Sequence, residues 1–198
     1  MRVFLAINFD RALQEELAGL QEMLKKRAGG VRWVKPELLH LTLKFLGETR
    51  PEDIDISTAP LQAAAQDVTA FNLSLAGLGV FPSIHAPRVV WIGIREGATQ
   101  TKLLAGKIEE VFSSLGLVTG YNKDAKRGQG SGKDAFVPHL TLGRKKREAD
   151  LDIPKELFKE PWDVKHVCHV DRFFLMKSTL YSSGPVYTPL KEFLLPNE

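Results

Sequence analysis

Two copies of the tetrapeptide His-Leu-Thr-Leu carry the side chains best suited to chemistry in this sequence of 198 residues. They begin at His40 and His139, an offset of 139 − 40 = 99 residues, which is half the chain. In a β-strand residues i and i+2 share a face, so His40 should lie beside Thr42 and His139 beside Thr141. The intervening leucines would then point into the core. The repeat predicts two imidazoles and two hydroxyls that face one cleft.

Paired imidazoles are suited to general acid–base catalysis. An unperturbed imidazole has a pKa of about 6.5, so near neutral pH one histidine can be neutral while its partner is protonated. The neutral ring can take a proton from an attacking water, and the charged ring can protonate a leaving oxygen. Hydroxyls of Thr42 and Thr141 can donate hydrogen bonds to the non-bridging oxygens of a phosphodiester, which makes both candidate substrate-binding residues.

Two other interpretations of the repeat stay open. A duplicated strand can be purely structural, although packing explains the leucines better than the histidines. A metal site is the second alternative, but two histidines are few for the usual sites, and neither strand has an acidic residue at i+2. His166 and His169 lie three apart in an apparent strand and should fall on opposite faces, and His85 lies in a loop flanked by prolines. We predict no metal and no cofactor.

Strands and helices alternate around the two tetrapeptides. Asp10 can cap a first helix with leucines at helical spacing, Ser57 a second and Thr99 a third. The predicted strands are 3–9, 31–34, 40–46, 71–80, 88–94, 136–142, 162–176 and 186–195. Such alternation also suits a parallel doubly wound sheet. The extra strands and the hairpin-like C-terminal runs favour an α+β fold over 1–198: one bilobal domain of two pseudo-symmetric lobes, with antiparallel sheets and outer helices around a central cleft.

Composition limits the class of protein. The chain has 27 basic and 24 acidic residues, a net charge of +3, which permits a local basic groove but no general nucleic-acid coat. A single cysteine, Cys168, excludes an internal disulfide and suits a reducing compartment. No apolar stretch approaches the roughly 20 residues that span a bilayer, and the run 1–10 favours a strand over a signal peptide. We expect a soluble, cytoplasmic monomer with no membrane contact and no obligatory protein partner.

The two halves diverge after the shared tetrapeptide. Phe45 follows His40 by five residues, and Arg144 follows His139 by five. Arg144 can bind phosphate through its planar guanidinium, and Phe45 can stack on a terminal base. An odd offset points away from the histidine in a regular strand, so both roles need a bend, and Gly143 could permit a bulge. Without one, Phe45 belongs to the core, and Arg144 to a solvated run of charges.

Several segments together resemble the 2H phosphoesterase superfamily, and within it the bacterial and archaeal RNA 2′,3′-cyclic phosphodiesterases, also called 2′-5′ RNA ligases. The segments are 1–7, 33–37, 40–47, 138–144 and 180–183. The resemblance implies a bilobal α+β fold and a metal-independent reaction. It also implies hydrolysis of a 2′,3′-cyclic phosphate at an RNA 3′ end to a 2′-phosphate, with His40 as proton donor and His139 as proton acceptor. It supports the substrate-binding roles of Arg144 and Phe45, and allows reverse 2′-5′ ligation.

Alternatives to this function stay open at the level of sequence. The protein could bind RNA ends without catalysis, or open a cyclic phosphate on a nucleotide derivative. The segment 120–133 is rich in Gly, Lys and Asp, and we expect a mobile loop there. Its cations, Lys123, Lys126, Arg127 and Lys133, either contact RNA phosphates upstream of the cyclic end or have no role.

Overall fold

The fold consists of nine β-strands and three α-helices within the part of the computed structural model that is described, residues 1–117 and 136–197. Two short 3-10 helices cover Pro36–Leu38 and Lys155–Lys159. The predicted basic loop at 120–133 lies outside the described residues. In chain order the elements are β1 (Arg2–Asn8), α1 (Arg11–Lys25), β2 (Val31–Trp33), β3 (His40–Glu48), α2 (Pro51–Ala65), β4 (Phe71–Phe81), β5 (Val89–Glu96), α3 (Ala98–Ser114), β6 (His139–Lys145), β7 (Cys168–Val170), β8 (Arg172–Tyr181) and β9 (Gly184–Leu194).

The strands form two sheets. The first has the order β3-β1-β8-β9 and the second the order β2-β6-β5-β4-β7. Every pairing between the described strands is antiparallel, which excludes the parallel doubly wound alternative and confirms the α+β prediction. Each His-Leu-Thr-Leu strand pairs with the strand that comes just before α1 or α3, the helix that closes the same unit: β3 with β1, and β6 with β5. The repeat in the sequence therefore corresponds to the same strand pairing in both sheets.

One apolar cluster runs through both sheets and the helices between them. It contains the leucines of both tetrapeptides and the α1 leucines that follow helical spacing, and each such buried side chain stabilises the fold by about 1.5–3 kcal/mol. α3 follows a strand of the second sheet but packs against α2 and β3 of the first. Gln21 of α1 reaches the second sheet instead, where its amide hydrogen-bonds the carbonyls of Val34 and Leu142. Helices α1 and α3 therefore connect the two sheets.

Helix starts were predicted with mixed success. Asp10 caps α1 as expected, because its carboxylate accepts from the Leu13 backbone N–H at 2.8 Å. The Ser57 cap is wrong: α2 begins at Pro51, whose ring favours the first helical turn, and the Ser57 hydroxyl donates to the Ile54 carbonyl inside the helix. The Thr99 cap is also wrong, since α3 begins at Ala98 after Gly97, which takes the left-handed φ of 81° that glycine tolerates best.

The single strand predicted over 162–176 is two strands in different sheets. β7 pairs with β4 in the second sheet, and β8 pairs with β1 in the first, so the chain changes sheets at Asp171. His166 precedes β7 and does not share a strand with His169, which corrects the prediction for this pair. Its Nε2 lies 2.9 Å from Asp10 Oδ2, whereas His169 Nδ1 lies 3.1 Å from Asn72 Oδ1. Neither histidine lies on a strand that carries a tetrapeptide.

Candidate active site

Both repeat histidines are held in the same way. Each is the first residue of its strand and bonds through Nδ1 to the carbonyl two residues earlier: His40 to Leu38 at 2.8 Å, and His139 to Val137 at 2.7 Å. A carbonyl oxygen only accepts, so Nδ1 must carry the proton, and Nε2 of the neutral ring is left as a base. Within 1–117 and 136–197 neither Nε2 has a protein partner. Nε2 is therefore the atom available for proton transfer on both rings.

The electrostatic surroundings of the two rings are also shared. Burial is the main cause that lowers the pKa of both His40 and His139 below the ordinary value for histidine. The bond from Nδ1 to the carbonyl acts against this, while the positive charge of Arg144 lowers the pKa of both rings further. One guanidinium therefore acts on both histidines, and β3 also contacts β6. The two histidines consequently lie in the same region of the fold, within reach of one positive charge.

The bend that the predicted roles of Phe45 and Arg144 require is present before Phe45 in β3. Thr42 lies opposite Ala6 and Lys44 opposite Leu5, so Leu43 is an extra residue and the strand bulges there. Residues opposite one another in an antiparallel pair share a face. Phe45 lies opposite Phe4, two residues from Ala6 on β1. The bulge therefore returns Phe45 to the face that carries His40 and Thr42.

The same bulge occurs at the same position of the repeat in β6. Thr141 lies opposite Trp91 and Gly143 opposite Val90, so Leu142 is the extra residue. Arg144 lies opposite Val89, on the face of β5 that also carries Trp91, and it therefore shares a face with His139 and Thr141. One additional residue in each strand therefore places the fifth residue after the histidine on the same face as that histidine.

Gly143, which follows this bulge, allows close packing of two strands and not the bulge that was predicted for it. Gly143 does not take a positive φ, so it is not needed for the bulge conformation itself. A Cβ at this position would lie 2.5 Å from Val31 Cγ1, closer than any ordinary contact. The absent side chain lets β2 approach β6. The bulge is instead supported by polar contacts, because the Leu142 carbonyl accepts from Val34 N and from Gln21 Nε2, both at 2.9 Å.

Sequence reasoning missed the aromatic rings against the two histidines. His40 lies 4.8 Å from the Phe4 ring and 5.2 Å, edge-on, from the Tyr187 ring. His139 lies 4.8 Å from Phe81, edge-on, and 6.0 Å from Trp91. These rings contribute to the burial of the imidazoles, and burial is the main cause of the lowered pKa of both histidines. Pairing of β1 with β3 could have identified Phe4, but no local pattern points to Tyr187, which comes from β9.

The remaining predicted residues have distinct surroundings. Thr42 and Thr141 are half-buried, and in the part of the chain that the structure describes their hydroxyls have no hydrogen-bond partner. Arg144 is exposed, on the same face of its strand as His139 and Thr141. Phe45 is partly buried against a small cluster formed by Phe4, Ala6 and Met176. It therefore combines the two predicted positions, with one side packed and the other on the face of His40.

Over 1–117 and 136–197, no group of three or more His, Cys, Asp or Glu side chains is arranged to hold a metal ion. Metal independence of the reaction stays a prediction. Among the helices of these same ranges, none has the length and apolar character required to cross a bilayer.

The chain is similar to known proteins over nearly its full length. Residues 7–91 match the family model described as LigT-like phosphoesterase. A relative from Archaeoglobus fulgidus, named RNA 2′,3′-cyclic phosphodiesterase, is 35% identical over 199 residues, covering 98% of this chain and 99% of the relative. The crystal structure of TT0787 from Thermus thermophilus superposes with a TM-score of 0.79 at 31% identity, covering all of both chains.

A second solved structure includes a nucleotide. E. coli LigT complexed with 3′-AMP matches with a TM-score of 0.68 and 25% identity, covering 98% of this chain and 96% of that one. The similarity to these proteins spans both sheets and both tetrapeptides, and with the relative from Archaeoglobus it extends over nearly the full length of each chain. The protein is therefore a member of the LigT-like phosphoesterase family.

Proposed function

We propose that the protein hydrolyses the 2′,3′-cyclic phosphate at RNA 3′ ends to a 2′-phosphate, without a metal ion. The observation that carries this proposal is the matched presentation of two imidazoles. His40 and His139 each donate from Nδ1 to a backbone carbonyl, which leaves Nε2 of both rings available, and the charge of Arg144 acts on both rings. The names of the relatives support the substrate, because several are RNA 2′,3′-cyclic phosphodiesterases.

The two histidines have complementary roles in the proposed reaction. Neutral His139 takes a proton through Nε2 from a water, whose oxygen forms the new bond to phosphorus. The bond from phosphorus to O3′ breaks, and protonated His40 donates its Nε2 proton to that oxygen. The product carries a 2′-phosphate and a free 3′-hydroxyl. The protonation states of the two rings are then exchanged, and solvent restores them before the next turnover.

The neighbouring side chains stabilise the charge on the phosphate. Thr42 and Thr141 donate hydrogen bonds to the non-bridging oxygens, and Arg144 contributes a charge-assisted bond. A bound phosphate anion also raises the pKa of a nearby imidazole, which offsets the effect of burial and lets His40 hold its proton. Phe45, on the same face as His40, provides an apolar wall for stacking. A 5′-hydroxyl in place of water would yield a 2′-5′ linkage with the same two rings.

The decisive experiment uses an oligonucleotide that ends in a 2′,3′-cyclic phosphate, incubated with the protein in excess EDTA. We expect the same rate of hydrolysis with and without EDTA. The phosphate of the product should resist an enzyme that removes only 3′-phosphates. Complete loss of activity in EDTA, restored by one divalent ion, would contradict the metal-independent mechanism. Binding of the oligonucleotide without turnover would instead support a protein that only recognises RNA ends.

A further inference from the structure

A row of four residues crosses the second sheet beside the proposed catalytic residues. Arg32 of β2 lies opposite Arg144 of β6, Arg144 lies opposite Val89 of β5, and Val89 lies opposite Phe81 of β4. Residues opposite one another in antiparallel strands share a face, and Arg144 shares its face with His139. Arg32 is therefore on the face that carries the site. It is exposed, and sequence reasoning did not single it out.

The three-residue strand β2 is held close to β6. This approach depends on Gly143, because a Cβ there would lie 2.5 Å from Val31 Cγ1. Just after β2, the Val34 N–H donates to a carbonyl of β6 at 2.9 Å. Val31 is buried, and Trp33 packs against the core. Arg32 is thus the side chain that β2 presents to the site face.

The charges in this row are unbalanced. Two guanidinium groups on directly opposite residues repel each other, and like charges in this position destabilise a sheet. The row contains no carboxylate, and within 1–117 and 136–197 the Arg32 side chain makes no hydrogen bond or ion pair. A bound anion would offset the repulsion and accept two bonds from the planar guanidinium. The row is therefore suited to a phosphate group.

Arg32 and Arg144 differ in their distance from the two imidazoles. The charge of Arg144 lowers the pKa of His40 and of His139, whereas the charge of Arg32 contributes to neither shift. Arg32 lies one strand beyond Arg144. Because it is farther from the rings, it is positioned for the phosphate next to the reacting one along the RNA.

We propose that Arg32 binds the phosphodiester that joins the terminal nucleotide to the rest of the RNA. The inference rests on the proposed function, in which the cyclic phosphate lies between His40 and His139. Arg32 makes no contact with the reacting atoms in this arrangement and acts on substrate choice. It favours RNA ends over cyclic mononucleotides, because a nucleoside 2′,3′-cyclic phosphate has no phosphate at its 5′ oxygen.

The test compares substrates with and without this second phosphate. Wild-type protein, Arg32→Met and Arg32→Lys are assayed on adenosine 2′,3′-cyclic phosphate and on the same compound with a 5′-methylphosphate, which reproduces the charge of the diester. Loss of one charge-assisted bond in Arg32→Met should raise KM about tenfold for the 5′-methylphosphate substrate alone, with kcat retained. Arg32→Lys should recover part of this loss. Equal increases in KM for both substrates, or none for either, would overturn the proposal.

Arg88→Met is the matched control on the same sheet. Arg88 is exposed and comes directly before Val89, so the alternation of β5 places it on the face opposite to Arg32 and Arg144. Its replacement should leave KM unchanged for both substrates. If Arg88→Met raises KM for the 5′-methylphosphate substrate as much as Arg32→Met does, the preference comes from diffuse positive charge and the proposed site is wrong.

A binding experiment separates this inference from the proposed function. Calorimetry should show that wild-type protein binds adenosine 2′-phosphate more tightly when it carries a 5′-methylphosphate. Arg32→Met should remove that difference, and circular dichroism checks that the variant is folded. Equal affinity of wild type for the two ligands would overturn the proposal. If no cyclic phosphate is hydrolysed but the difference is present and depends on Arg32, the proposed function fails while the phosphate site stands.

Discussion

The strands that begin with His40 and His139 are built alike and end differently. In both, Nδ1 is bonded to the carbonyl two residues earlier, two aromatic rings enclose the imidazole, and the second leucine of the tetrapeptide forms a bulge. The bulge in β3 brings Phe45 onto the site face, and the bulge in β6 brings Arg144. The fold thus holds two imidazoles in equivalent positions, and the fifth residue after each histidine makes the two strands differ.

The enclosure of the two rings differs as well. His139 is only 9% exposed and lies against Phe81 and Trp91, with the Trp91 ring packed over Gly79. A Cβ on Gly79 would lie 2.1 Å from that ring, so this wall is tightly packed. His40 is half-buried and opens onto a cavity. The second sheet therefore packs closely around its histidine, while the first leaves a cavity beside His40.

The largest effect should come from removing either histidine. We expect His40→Ala and His139→Ala each to lose at least about 100-fold in kcat on cyclic-phosphate RNA, because each removes one proton transfer. A p-nitrophenyl phosphodiester then separates the roles, since its leaving group departs as a stable anion without a proton. His40→Ala should recover most of its activity on that substrate, whereas His139→Ala should not.

His169→Ala is the matched control, because His169 of β7 contacts Asn72 of β4 and lies on neither tetrapeptide strand. It should behave as wild type on both substrates. Recovery by His139→Ala in place of His40→Ala would reverse the assignment of donor and acceptor. Equal losses by both variants on both substrates would mean that neither ring acts as the acid for the leaving group.

The second-largest effect should come from Arg144 of β6, which has no charged counterpart at the matching position of β3. The pKa of both histidines is lowered by burial and then by Arg144. Arg144→Met removes a positive charge that disfavours the protonated rings, so both pKa values should rise. Both limbs of the bell-shaped pH–rate profile should therefore move to higher pH. The rate should also fall about 10- to 100-fold through loss of a charge-assisted bond to phosphate.

Arg147→Met provides the control for this experiment. Arg147 belongs to the same run of basic residues but follows the end of β6 and is exposed. It should alter neither the rate nor the pH profile. If Arg144→Met lowers the rate but leaves both limbs unmoved, its charge does not set the pKa of the histidines. If Arg147→Met has the same effect as Arg144→Met, the whole run acts as a diffuse positive surface.

The alternation of polar and apolar residues was enough to predict that the histidine and threonine of each strand share a face and that the leucines lie in the core. These features depend on neighbours within a single strand. It was also enough to require a bend before Phe45 and Arg144, but not to locate the extra residue at Leu43 and Leu142. The opposing strand decides that position, because a bulge is defined by which residue lacks a partner across the pair.

Features that depend on pairing between distant strands were harder to predict from the sequence. Tyr187 reaches His40 only because β9 lies in the same sheet, two strands away from β1. The break at Asp171 was missed because the apolar pattern continues while the chain passes from one sheet to the other. Gln21 was not noticed at all, since a lone glutamine among the leucines of an amphipathic helix has no local pattern that marks it as buried.

The smallest effect should come from that glutamine, which distinguishes the two bulges. The Leu142 carbonyl in β6 is held by Gln21 Nε2 and Val34 N, and the side chain of Gln21 is almost fully buried. Gln21→Leu removes the donor to the carbonyls of Leu142 and Val34, which should lower the free energy of unfolding by about 1–3 kcal/mol. The loosened bulge should let Arg144 move away from the histidines.

The pH–rate profile distinguishes this positioning role from simple destabilisation. Gln21→Leu should shift both limbs to higher pH, as Arg144→Met does but by less, with a fall of a few-fold in kcat. Leu17→Ala in the same helix is the control, because it destabilises a buried leucine position by about 2–5 kcal/mol without touching the bulge. Measured well below both Tm values, Leu17→Ala should keep the wild-type profile. An unshifted profile in Gln21→Leu would show that the glutamine stabilises the fold and does not position Arg144.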